Sequence, residues 1–83
     1  MKIPKWWTVS EEEDYAMGTM MILGARYKVY SGRLPGLADV AGWYVKLNGR
    51  TVANGICNGV FEGMAQCEHF ARNWARREWR VYG

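Results

Sequence analysis

The chain has 83 residues, a net charge of +3 and 49% hydrophobic residues. This length allows one domain that buries about 60–65% of its unfolded surface, and the composition excludes a disordered chain. No apolar run reaches the roughly 20 residues of a membrane-spanning helix, and no basic segment leads directly into an apolar one. We therefore expect a single domain over residues 1–83 that is cytoplasmic and has no membrane partner.

Aromatic residues are unusually frequent, with five Trp and five Tyr. Two explanations stay open: large rings compensate for a small core, or some of them lie at the surface for contact with a partner. Residues 1–9 are predicted to form an extended arm, because Pro4 blocks early helix formation. Trp6 and Trp7 would anchor this arm.

A helix is predicted over residues 10–24. Ser10 and Glu13 have the spacing of a capping box, and a run of acids would lie at the positive end of the helix dipole. Gly24 would end the helix. A strand is the alternative for residues 16–24, because residues 20–23 are apolar on all sides.

A three-stranded antiparallel sheet is predicted over residues 25–57. Residues 26–30 alternate between apolar and polar side chains, and residues 31–42 form a long loop that contains Pro35. Asn48-Gly49 then separates two alternating segments, as in a hairpin with a type I′ turn. A two-residue turn places Leu47 opposite Arg50, Lys46 opposite Thr51 and Val45 opposite Val52. The expected core side carries Trp43, Val45, Leu47, Val52 and Ile56, and the outer side carries Tyr44, Lys46, Thr51 and Ala53.

An amphipathic helix is predicted over residues 58–78, followed by a possible short strand over residues 79–82. Its apolar stripe has helical spacing and consists of Val60, Met64, Cys67, Ala71 and Trp74. Glu68 and Arg72 are spaced for an ion pair. The expected fold class is α+β: one small domain with a helix, a three-stranded antiparallel sheet and an amphipathic C-terminal helix.

The order helix–strand–strand–strand–helix resembles the double-stranded-RNA-binding domain, over residues 42–77. Asn48-Gly49 and the closing helix occupy the places of that family's last hairpin and second helix. The family binds phosphates through a lysine cluster at the start of the second helix, whereas residues 61–66 contain no base here. The family's loop histidine is absent from residues 31–42. The resemblance therefore implies the architecture without RNA binding.

Cysteine and histidine chemistry gives no site. Cys67 and His69 are two residues apart on a helix and point about 200° away from each other, so they cannot readily share a metal. Two cysteines without a secretory context are expected to be reduced thiols, although a disulfide between Cys57 and Cys67 stays open as the less favoured alternative. No nucleophile has a base beside it. We expect no metal, no cofactor and no enzyme activity.

Two binding hypotheses remain. The first is a non-catalytic protein that binds another protein through an acidic and aromatic set: Glu11, Glu12, Glu13, Asp14, Trp6, Trp7 and Tyr44. In size, aromatic content and split charge the chain resembles small phage-encoded inhibitors of the anti-CRISPR type. That resemblance implies a mobile-element inhibitor that occludes a host nucleic-acid-handling defence complex, by bulk or by phosphate mimicry.

The second hypothesis is a nucleic-acid-binding module built on the arginine-rich end of the chain. Arginine next to aromatic rings suits phosphates and stacking. The residues are Arg72, Arg76, Arg77, Arg80, Lys46 and Arg50. A solvated helix face is the competing explanation, since cations also favour a helix C-terminus. Monomer and homodimer are both open, and the sequence does not identify the partner.

Overall fold

A computed structural model describes residues 4–37 and 39–82 of the chain, with side chains as far as Arg77. Five antiparallel strands pair in chain order, and one long helix follows them. The elements are β1 (Trp7–Val9), β2 (Tyr15–Ile22), β3 (Ala25–Arg33), β4 (Ala41–Leu47), β5 (Arg50–Cys57) and α1 (Val60–Tyr82). The α+β character is as expected, but the predicted three-stranded sheet and the helix–strand–strand–strand–helix order are wrong.

The largest correction concerns residues 10–24, which form a turn and β2 instead of a helix. Ser10 uses its hydroxyl in the turn, where Oγ accepts the amides of Asp14 and Tyr15 at 3.0 and 3.2 Å. The same short polar side chain serves helix caps and turns, so the capping-box pattern does not distinguish them. As a strand, this segment places Ala16 and Met20 on the buried side of the sheet and Met17 and Met21 on the exposed side.

The strand predicted over residues 26–30 is confirmed and is longer than expected. β3 continues through Ser31 to Arg33, and β4 begins at Ala41, so the connecting loop is shorter than predicted. The extension brings the Ser31 hydroxyl beneath α1, where it donates to the carbonyl oxygen of Val60 at 2.8 Å. This buried hydrogen bond explains how a polar residue can extend the strand into the core.

The hairpin turn is confirmed, because Asn48 and Gly49 have φ values of 54° and 81°. Leu47 faces Arg50 and Lys46 faces Thr51 as predicted, but Val45 pairs with Ala53 rather than Val52. One extra residue in β5 makes a β-bulge there and reverses the side on which later residues lie. Ile56, predicted for the core, is 73% exposed as a result, and Ala53 lies on the core side.

The predicted C-terminal helix is confirmed, and it continues to Tyr82 in place of the suggested terminal strand. α1 packs on one side of the sheet, mainly over β3 and β4. Its buried residues are Val60, Gly63, Met64, Cys67, Ala71 and Ala75, and Trp74 is partly buried. They meet Trp7, Met20, Tyr27, Val29, Trp43 and Val45 from the sheet. One face of the sheet is therefore core, and no helix in the described part of the chain packs on the other.

Candidate functional site

The uncovered side of the sheet is the candidate site, and we call it the open face. Residues paired directly across an antiparallel sheet share one side, and neighbours along a strand alternate. The strand registers therefore assign to the open face Thr8, Tyr15, Met17, Thr19, Met21, Arg26, Lys28, Tyr30, Tyr44, Lys46, Thr51, Asn54 and Ile56. Tyr44, Lys46 and Thr51 lie on this side as predicted.

Three tyrosines form a row across the open face. The ring of Tyr30 is near-parallel to those of Tyr15 and Tyr44, at interplanar angles of 16° and 15° and centroid distances of 6.4 and 5.1 Å. The Tyr30 ring also lies over the backbone of Gly32, where a Cβ atom would overlap its hydroxyl. These contacts position the Tyr30 ring, which has a tyrosine on each side.

The charge of the open face is positive. None of the five strands contains Asp or Glu, whereas Arg26, Lys28 and Lys46 all lie on this face. Lys28 and Lys46 are direct cross-strand partners. Like charges in that position destabilise a sheet. The Lys46 ammonium is 5.0 Å from the Tyr44 ring centroid, so the lysine row adjoins the tyrosine row.

A groove of about 650 Å³ runs beside the tyrosine row. Gly32 and Gly42, which are cross-strand partners, belong to its lining, and the Tyr30 ring lies over Gly32. Leu34, Pro35 and Tyr44 add apolar surface to the lining, and Lys46 and Asn54 add polar groups. The groove therefore combines an apolar wall with an ammonium and an amide, a lining that suits an apolar group next to an anion.

Exposed apolar side chains continue the open face beyond the groove. Met17, Met21 and Ile56 are 48%, 62% and 73% exposed. Tyrosine, methionine and arginine are enriched where proteins bind one another. Tyr15 and Tyr30 also lie on this face. Sequence reasoning did not bring them together, because the helix predicted over residues 10–24 would separate Tyr15 from the sheet. Their placement depends on long-range strand pairing, in which Tyr15 lies opposite Gly32 and Tyr30 lies opposite Tyr44.

The predicted anchors Trp6 and Trp7 lie on the other side, against the helix. Trp7 is only 6% exposed and donates its indole N–H to Glu68 Oε1 at 2.8 Å. Trp6 donates to the same oxygen at 3.3 Å and is 37% exposed. Arg72 pairs with Glu68 at 3.4 Å, which confirms the predicted ion pair, and stacks near Trp6. In this structure the two tryptophans connect the β1 end of the sheet to α1 through hydrogen bonds to Glu68.

The predicted acidic set occupies the turn between β1 and β2. Glu11, Glu12 and Glu13 are exposed, and Glu13 has a φ of 57°. Asp14 is half-buried and accepts a 2.6 Å hydrogen bond from the Ser10 hydroxyl. We call residues 11–14 the acidic turn. It presents an ordered negative patch at one end of the positively charged sheet.

The predicted basic set is divided among separate surfaces. Arg76 and Arg77 are exposed on α1, and the Arg77 guanidinium is 5.9 Å from the Trp74 ring centroid. Arg72 is paired with Glu68, and the Arg80 side chain lies outside the described part of the chain. Lys46 is on the face opposite α1. Arg50 is exposed at the hairpin end. The fold does not gather these residues into one patch with Lys46.

Neither cysteine has the environment of a nucleophile. Both are buried free thiols, and burial raises the pKa of Cys67 to about 12. Burial also raises the pKa of Cys57, with a smaller contribution from the charge of Glu62. A thiol held in its neutral form is a poor nucleophile and a poor metal ligand. Among the described residues, no three His, Cys, Asp or Glu side chains cluster as a metal site would require.

Comparison with protein-family models, curated proteins and solved structures finds no match for this chain. In the part that the structure describes, no helix combines the length and apolarity needed to cross a lipid bilayer. The open face is therefore the feature of this chain that bears on its function.

Proposed function

We propose that this protein is a non-catalytic binding domain that captures another protein through the open face of its sheet. One observation carries the proposal: an uncovered five-stranded sheet carries a fixed tyrosine row, exposed apolar side chains and cations without a carboxylate. The partner that fits is a protein surface where acidic side chains lie next to apolar ones.

The cross-strand lysines support an acidic partner. Placing Lys28 opposite Lys46 costs stability in the free protein, because two ammonium groups repel each other across the strands. A carboxylate between them removes that repulsion and gains two charge-assisted contacts. The repulsion in the free protein therefore becomes attraction in the complex. The lysine pair therefore favours a partner surface with negative charge.

The tyrosine geometry favours a protein over a single-stranded nucleic acid. Sheets that bind single strands offer ring faces on which bases stack. Here Tyr15 and Tyr44 flank the Tyr30 ring, so a base can stack on Tyr30 only after the rings separate. At Tyr30 the row offers a ring edge and a hydroxyl, and these suit protein surfaces.

The acidic turn supports a second part of the proposal, in which the captured partner is inhibited. Three adjacent exposed glutamates at one end of the domain match the basic groove of a nucleic-acid-handling complex. In this version the protein occludes such a groove, as an inhibitor of the anti-CRISPR type would. Replacing Glu11, Glu12 and Glu13 by glutamine tests this part alone, because it removes the charge without touching the open face. Unchanged partner affinity after that change would exclude phosphate mimicry.

A pull-down from the native host with matched charge reversals tests the proposal. The test variant is Lys28→Glu/Lys46→Glu on the open face, and the control is Arg76→Glu/Arg77→Glu on α1. Both replace two cations by two anions at side chains that the core does not need. We expect the first to lose the captured protein and the second to retain it, also after nuclease treatment. Capture that survives the open-face change would contradict the proposal.

A salt titration against duplex and single-stranded oligonucleotides tests the nucleic-acid alternative. Phosphate contacts make affinity fall steeply with salt. We expect no salt-sensitive binding by the native protein at low ionic strength. Tight binding that Arg76→Glu/Arg77→Glu abolishes would favour the arginine-rich helix as the functional surface instead.

A further inference from the structure

The outer edge of β5 is open and uncharged. β5 ends the sheet, and within the described residues no strand pairs with its outer side. After Arg50 the strand reads Thr-Val-Ala-Asn-Gly-Ile-Cys, without Lys, Asp, Glu or Pro. Natural proteins block free edges with charged residues or proline, because an unpaired edge is a template for another strand. The edge of β5 lacks both of these protections.

The opposite edge of the sheet, which β1 forms, is short and is followed by charged residues. β1 has three residues, and the acidic turn follows it. β5 has eight residues, of which Ala53–Cys57 pair with β4 in regular register beyond the bulge. α1 lies mainly over β3 and β4 and makes fewer contacts with β5. Only one edge of this sheet is therefore long, regular and uncharged enough to accept another strand.

We propose that β5 pairs antiparallel with β5 of a second copy, so that two chains form one continuous ten-stranded sheet. A second copy matches the edge in length and in its lack of charge, whereas a charged strand would find no counter-charge there. Two-fold pairing of identical edges closes after two chains. A head-to-tail assembly would need β1 as the receiving edge, and β1 is too short for this.

The position of Arg50 sets the direction of the pairing. Arg50 is the only charged residue of β5 and lies at its first position. Parallel pairing would place the two guanidinium groups side by side, where they repel each other. Antiparallel pairing places them at opposite ends of the seam, about 25 Å apart at roughly 3.3 Å per residue. The same pairing brings Ile56 of each copy, otherwise 73% exposed, to the seam.

Sedimentation equilibrium of the full chain over a range of concentrations tests the pairing. The native protein should show a concentration-dependent mass that ends at two chains. Asn54→Lys/Ile56→Lys places charges on the β5 edge and should weaken dimerisation at least tenfold, or about 1.4 kcal/mol. Ala65→Lys/Gln66→Lys is the control: it adds the same charge at two exposed positions of α1, where neither lysine lies opposite a cation of the sheet, and should leave dimerisation unchanged.

Amide hydrogen exchange, resolved by NMR for the native protein, keeps the test independent of the variants. In the single chain, every second β5 amide points away from β4 and exchanges quickly. We expect these amides to gain protection as the concentration rises. A single-chain mass at every concentration would overturn the proposal. So would growth beyond two chains, or a dimer that the α1 lysines break and the β5 lysines spare.

Discussion

The two faces of one sheet have different surroundings, although the same strands build both. On the face under α1, Val29 and Val45 are buried, and the only buried polar side chain is that of Ser31, within the described residues. The residues next to these along β3 and β4 face outward, and they are Lys28, Tyr30, Tyr44 and Lys46. We therefore expect substitutions on the covered face to affect folding and substitutions on the open face to affect partner binding.

The largest expected effect is on the covered face, at Trp7. Trp7→Ala should lower the free energy of unfolding by about 3–5 kcal/mol, because it opens a cavity under α1 and removes the shorter of the two indole hydrogen bonds to Glu68. Met21→Ala on the open face, where the side chain is 62% exposed, should change it by less than about 0.5 kcal/mol. Urea unfolding followed by circular dichroism measures both. Equal losses would contradict the division between faces.

A smaller effect is expected where α1 approaches β3 most closely. A Cβ atom on Gly63 would overlap the Ser31 hydroxyl, so Gly63→Ala should destabilise the fold by about 1–3 kcal/mol despite alanine's better helix propensity. Ser31→Ala gives the methyl group more room by removing that hydroxyl. The double variant should therefore be more stable than the sum of the two single losses predicts. Simple additivity would show that the two residues do not meet.

Alkaline pH should weaken the covered face through Cys67. The folded thiol keeps its proton up to a pKa of about 12, whereas the unfolded thiol loses it near the ordinary value of 9.0. Between these values the unfolded state binds fewer protons, so stability falls as pH rises, by at most about 1.4 kcal/mol per pH unit. Cys67→Ala lacks this contribution and is the matched control. Identical slopes for both proteins would mean that the thiol is not held neutral.

The smallest effect on folding is expected for the paired lysines of the open face. Lys28→Glu/Lys46→Glu replaces one like-charge pair by another, so its free energy of unfolding should stay within about 0.5 kcal/mol of the native value. Lys28→Glu alone creates an opposite-charge pair and should raise stability by about 0.2–1 kcal/mol. Thermal unfolding at low salt measures both changes. Destabilisation by the single change would show that the lysines do not face each other.

Much of the fold can be predicted from local chemistry, and the errors have physical causes. Asn48-Gly49 identifies the hairpin because positive φ angles restrict the turn to few residue types. The bulge at Val52 has no such sequence signature. It places Ile56 on the open face and not on the predicted core side. Ser10 and Glu13 satisfy a capping box, yet pairing of β2 with β1 and β3 overrides this local preference.

The candidate site follows the same rule. Tyr44 and Lys46 can be assigned to the outer face because the turn next to them sets their register. Tyr15 and Tyr30 join them only through long-range pairing, which no local pattern specifies. Trp6 and Trp7 cannot be distinguished from surface anchors until Glu68 on α1 is placed beside them.

Tyrosine nitration, read by mass spectrometry with and without the captured partner, tests the central claim most directly. Tyr15, Tyr30 and Tyr44 lie on the open face, and Tyr27, which is 1% exposed, lies on the covered face as an internal control. We predict that the partner protects the three open-face tyrosines, while Tyr27 resists nitration in both samples. Unchanged nitration of those three tyrosines in a complex that is fully formed would contradict the account.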